Sequence, residues 1–278
     1  MDELPFDFYD GVFGQLPKKD LQTSLDLSGV LGAVAAEHCE KRRELSLWVR
    51  LSADLNLCSF VLGDNDVSLS DLRPKYDRIV AFTLLDHSVW NMYEANLSFE
   101  DTLKKVAFAL RFVANCSFWS GAYSELFCKP FFRLLRRFRV FKKVTTSDLG
   151  KQCRKFVKKQ AASGFLEELW LNEGSWPNEF NALLRSYIKT PKFYQLHCKS
   201  RSITFDFETV STLLERWATG QLRRLSLDIY VSFGKERLVK FLHKLGCTSK
   251  KQTFKLAGRS SLKMTFKDNY INLDVDFV

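Results

Sequence analysis

Apolar side chains recur at two spacings along this chain, and the spacing switches near residue 45. Before it, Phe8, Val12, Phe13 and Leu16 fall at helical intervals. Pro5 suits the entry to that helix, because proline is tolerated in a first helical turn. Pro17 interrupts, and a second short turn carries Leu21 and Leu25. Ser28 is expected to cap a third helix containing Leu31, Val34, Ala35 and His38. These apolar positions cover more than one face, which predicts that the three helices dock onto another surface.

After residue 45, LSLWVRL at 45–51 and NLCSFVL at 56–62 predict strands, and 63–66 a loop. From residue 79 a phrase of the form apolar–x–x–apolar–x–apolar repeats. It reads Ile79/Phe82/Leu84, Val113/Cys116/Phe118, Phe138/Phe141/Lys143, Leu166/Leu169/Leu171, Phe193/Leu196/Cys198 and Leu222/Leu225/Leu227. Between the phrases lie helical sets: Leu149/Cys153/Phe156/Val157, Phe180/Leu183/Leu184/Ile188, Val210/Leu213/Leu214/Trp217 and Leu238/Phe241/Leu242/Leu245, the last closed by Gly246. Strand–helix alternation at this period predicts parallel strands with crossover helices, each unit burying its helix by stacking on its neighbours. Residues 252–257, 260–266 and 270–277 then alternate as strands, with Asp268–Asn269 as a turn, and are expected to cap the stack. The expected fold class is α/β. A three-helix module at 1–44 precedes an irregular strand–helix solenoid at 45–278, capped by C-terminal antiparallel strands.

Composition narrows the setting. With 46% hydrophobic residues over 278 positions, the chain can bury a continuous core. The acidic opening MDELPFDFYD lacks the basic start and clean apolar run of a secretory signal. The most apolar stretch, 106–114, contains Arg111, and a membrane helix needs about 20 apolar residues, so no membrane partner is expected. Seven scattered cysteines with no C-x-x-C spacing suggest buried thiols in a reducing compartment, cytoplasmic or nuclear. Charge is concentrated: residues 129–160 hold twelve basic side chains and one acidic one.

Leu4–Pro5 opens the first helix, Val12–Phe13 follows one helical stretch later, and LPKKDL spans 16–21. Leu27–Ser28 precedes a third helix with Val34–Ala35, in the stretch SGVLGAVA, which carries Leu31 and no tryptophan. On these residues the segment 1–44 resembles an F-box. The opening and the Phe-rich repeats are also similar to the divergent F-box family expanded in nematodes. The resemblance implies a substrate-recognition adaptor of an SCF-type ubiquitin ligase. The helices would bind a Skp-family adaptor, and a C-terminal repeat domain, here leucine-rich-repeat-like, would hold a protein substrate. The adaptor-binding residues would then be Leu4, Pro5, Val12, Phe13, Leu16, Pro17, Leu21, Leu25 and Leu31, with Phe13 and Leu16 as buried anchors. The competing reading is a helical cap that packs only on its own chain.

Catalytic chemistry finds no support. His38, His87, His197 and His243 fall in no H-E-x-x-H, and no phosphate-binding or nucleophile-elbow pattern appears. His197 and Cys198 are adjacent and point to opposite faces of a strand, poor geometry for a metal. No catalytic residue, metal site or cofactor is expected. For the substrate, Arg136, Arg137, Arg139 and Lys142 are candidates, because arginine forks match carboxylate and phosphate groups. An acidic or phosphorylated protein fits such a patch. The alternative is a nucleic-acid- or phosphate-binding repeat protein using 129–160, with nucleic acid the less expected partner. A solvated outer face is the third reading of the same charges. Trp90, Trp119, Trp176 and Trp217 are mostly expected in the core. Trp170 should face the other side of its strand, beside His197 and Ser226, and with His197 completes the substrate candidates.

Overall fold

The computed structural model describes residues 5–51, 58–63, 67–86, 97–121, 125–138, 140–172, 174–222, 224–250, 253–256, 261–267 and 270–276. The chain forms two compact units, Met1–Ala122 and Tyr123–Val278. Both are mixed α/β, and each holds a run of parallel strands flanked by antiparallel pairing.

The first unit opens with three helices, α1 (Phe6–Gln15), α2 (Lys18–Thr23) and α3 (Gly29–Lys41). Pro5 and Pro17 each stand just before a helix, where a missing N–H costs nothing. The strands are β1 (Arg43–Leu51), β2 (Cys58–Leu62), β3 (Asp77–Asp86) and β4 (Val113–Ser120), with α4 (Phe99–Ala109) crossing between the last two. Their order is β2-β1-β3-β4: β2 is antiparallel to β1, and β1, β3 and β4 run parallel. Ser98 starts α4 by accepting the Asp101 N–H at 3.1 Å.

The second unit begins with α5 (Glu125–Leu135). It continues as β5 (Phe141–Thr146), α6 (Gly150–Ala161), β6 (Glu168–Leu171), α7 (Glu179–Ile188), β7 (Gln195–Phe205), α8 (Phe207–Ala218), β8 (Arg224–Val231) and α9 (Lys235–Lys244). β5, β6, β7 and β8 are neighbours in chain order and all parallel. Leu169, Leu171, Leu196, Cys198, Leu225 and Leu227 are buried beneath the helices. Successive units are also stapled by polar groups. Arg216 of α8 donates to the Ile188, Thr190 and Phe193 carbonyls at 2.9–3.0 Å, satisfying orphan groups after α7. Four short strands follow, β9 (Thr248–Lys250), β10 (Thr253–Lys255), β11 (Ser261–Lys267) and β12 (Tyr270–Asp276). β12 pairs antiparallel with β8, and the order outward is β8-β12-β11-β10-β9.

The three N-terminal helices fall in one compact unit with β1–β4. Several expectations need correction. The third repeat phrase is not Phe138/Phe141/Lys143. Val144 pairs with Leu169 and Thr146 with Leu171, so the phrase is Phe141/Val144/Thr146, three residues later. Phe141 packs on Phe156 of α6, while Lys143 takes the opposite face of the strand. Thr146 passes in an apolar place because its hydroxyl donates to the Ser147 carbonyl at 2.9 Å. Ser28 stands before α3, but its hydroxyl makes no capping bond. Trp176 and Trp217 are buried as expected, whereas Trp119 is 42% exposed. Trp90, His87 and the turn at Asp268–Asn269 lie outside the described residues.

Candidate functional site

The three N-terminal helices enclose a small core of Tyr9, Phe13, Leu21, Val34 and Ala35, with Leu16, Leu31 and Cys39 packed against it. This overturns the choice of Phe13 as an anchor: it is 4% exposed and holds α1 against its own neighbours. Leu21 is fully covered, and Leu16, Pro17 and Leu31 are half-buried. Val12 and Leu25 do face outward, as does Pro5, while Leu4 lies outside the described residues. Helical periodicity found the apolar positions but could not say which face the module keeps for itself.

The exterior is apolar, but largely at residues other than the nine expected. Phe6, Phe8 and Val12 project from α1, and Leu25, Leu27 and Val30 flank the start of α3. Phe8 is 52% exposed. Six of the eleven exposed large apolar side chains among the described residues fall between residues 6 and 30, so the excess is local to this module. Gly32 shapes the second group. A Cβ there would collide with the Leu27 carbonyl, so only glycine lets the turn of Leu25 and Leu27 settle on α3.

Polar contacts brace the opposite side. Arg42 donates to the Leu16 carbonyl at 2.6 Å and to the Phe13 carbonyl at 3.0 Å, and Arg78 from β3 donates to the Gly14 carbonyl at 2.8 Å. Two guanidinium groups thus close the carbonyl end of α1, where positive charge is favoured. Asp10 joins His38 and Lys75, each at 2.9 Å, and Glu37 bonds Tyr76 and Lys41. Hydrogen bonds from Tyr76 and then Lys41 hold the Glu37 carboxyl at about 2. Burial alone would raise Asp77, but bonds from Arg43 and Arg73 outweigh it and hold that carboxyl also at about 2. Burial pushes His38 below its ordinary value despite Asp10. Arg42 donates to Nδ1 of His38 at 3.3 Å, so the ring is neutral and gives its Nε2 proton to Asp10.

The substrate candidates separate onto two surfaces of the second unit. Trp170 and His197 sit side by side in register with Ser226, on the sheet face away from the buried leucines. Their rings stack at 4.7 Å, and Lys143 and Arg224 lie over the indole at 4.7 and 5.5 Å. Lys142 pairs with Glu167 at 3.7 Å. Arg136 and Arg137 instead follow the end of α5, and Arg139 lies outside the described residues. A cavity of about 330 Å³ beside β2 is lined by Phe60, Val61, Val67, Leu69 and Lys105, and no expected site residue reaches it. Among the described residues, no three His, Cys, Asp or Glu side chains gather as metal ligands, and no helix is long and apolar enough to cross a membrane.

Compared with known proteins, the chain matches no family model and no curated protein.

Proposed function

We propose that this chain is a non-catalytic substrate-recognition adaptor of an SCF-type ubiquitin ligase. Its three N-terminal helices bind a Skp-family adaptor, and the leucine-rich-repeat-like strand–helix units bind a protein substrate. The observation that carries the reading is the apolar exterior of the N-terminal module: Phe6, Phe8, Val12, Leu25, Leu27 and Val30 are exposed on helices already braced from behind. A cap serving only its own chain would bury them. Covering six half-exposed side chains supplies a gross gain of about 6 kcal/mol. Micromolar binding needs about 8 kcal/mol, so polar contacts around these anchors contribute the rest. Seven cysteines free of disulfides suit the cytoplasmic or nuclear setting such a role requires.

The test is co-purification. The full chain should bring down a Skp-family adaptor in stoichiometric amount, and the Val12→Asp/Leu25→Asp variant should lose it while keeping its thermal transition. Undiminished capture by that folded variant would sink the proposal.

A further inference from the structure

Helices α5 and α6 run side by side in the same direction. Glu125 at the start of α5 lies against Gly150 at the start of α6, where a Cβ would strike its carboxyl. Further along, Phe132 and Phe156 meet at 5.5 Å. In this register, Lys129 and Arg133 form one outward row on α5, with Arg137 exposed in the turn just past its end, and Lys151, Lys155 and Lys159 form a second on α6. Residues four apart on a helix are about 6 Å apart along its axis, and packed helices lie about 8–10 Å apart. The pair therefore presents a double row of cations. Other basic residues nearby are already matched: Arg154 with Asp148 at 2.6 Å, Lys158 with Glu179 at 2.7 Å and Lys143 with Glu168 at 3.0 Å. Among the described residues, the cations of the two rows and Arg137 make no ion pair.

Leu126 decides what such a surface takes. It is 74% exposed, the most exposed large apolar side chain among the described residues, and it shares the outward face of α5 with Lys129 and Arg133. The phosphates that would meet these cations offer no apolar group to cover the leucine beside them. Single-stranded nucleic acid would want exposed rings to stack on, and no aromatic residue of α5 or α6 is exposed. An acidic amphipathic protein segment matches both features, with carboxylates at helical spacing opposite the cations and an apolar side chain on Leu126.

We infer that the outward face of α5 and α6 is the docking surface for an acidic, amphipathic segment of a protein partner. The inference rests on the receptor reading only in taking that partner to be the substrate. The probe is a fluorescent helical peptide of glutamates with leucines along one face, titrated against the full chain by anisotropy. Binding should weaken as salt rises, and the Arg133→Glu/Lys155→Glu variant should bind at least about tenfold more weakly. Leu126→Ser should weaken it by a smaller factor, and a glutamine version of the peptide should not bind. Lys129→Gln/Lys151→Gln gives the same direction if the charge reversal fails to fold. Binding unaffected by these changes overturns the inference, as does no binding at moderate salt. So does tighter binding of a DNA duplex that ignores Leu126→Ser. Skp-family capture should persist in Arg133→Glu/Lys155→Glu, so either proposal can fail alone.

Discussion

Helices α1 and α6 are of similar length and each buries one face, yet their exteriors are opposites. On α1 the outward positions are Phe6, Phe8 and Val12; on α6 they are Lys151 and Lys155. The inner faces differ less: Tyr9 and Phe13 on one, Cys153, Phe156 and Val157 on the other. Interior packing thus tells little about purpose here. The exteriors tell more, because an apolar exterior is stable in water only at a cost that a partner removes, whereas a lysine exterior is soluble as it stands.

Substitutions on and beneath these surfaces should split accordingly. Phe13→Asp puts an unpaired charge into the N-terminal core and should unfold the first unit, at a cost above about 4 kcal/mol. Phe156→Ala should lower the stability of the second unit by about 3–5 kcal/mol, read from denaturant midpoints. Asp77→Ala leaves Arg43 and Arg73 without their shared carboxylate and should cost about 3 kcal/mol in the first unit. Val12→Asp should change stability by no more than about 0.5 kcal/mol. If it proved as damaging as Phe13→Asp, the contrast between inner and outer faces of α1 would collapse.

Acid gives the finest distinction. His38 is held neutral below its ordinary 6.5, so the unfolded chain binds a proton that the folded helix refuses. Its contribution is present above about 6.5 and is lost as pH falls from there. The Asp77 contribution is present above 3.8 and is lost as pH falls towards about 2. Protection factors for hydrogen exchange in α1 and α3 should therefore fall as pH drops below 6.5, and His38→Asn should remove that step while sparing the more acidic one.

Much of the second unit was legible because its strands obey one rule. Buried positions recur in a fixed phrase, and the neighbours of Trp170 followed from aligning phrases, as the register with His197 and Ser226 bears out. The error at β5 shows the limit: a threonine occupies an apolar place there, and Phe138 offered a false start three residues early. In the N-terminal module the sequence showed which positions are apolar but not which side faces out. That depends on Arg42 and Arg78, which reach carbonyls 26–29 and 64 residues away and leave no periodic trace. Leu126 was passed over for a related reason, since one leucine on a helix reads as core until the packing is seen.

The order β8-β12-β11-β10-β9 has a consequence for how the second unit is made. β12 comes after the other three short strands in the chain, yet it is the one that touches β8. On the ribosome, β9, β10 and β11 emerge with no place on the sheet, and the edge of β8 stays open until Ile271, Leu273 and Val275 have cleared the exit tunnel. A stalled or truncated chain ending before residue 270 would therefore lose all four strands at once and display a bare parallel edge, the kind of surface that recruits chaperones and seeds aggregation.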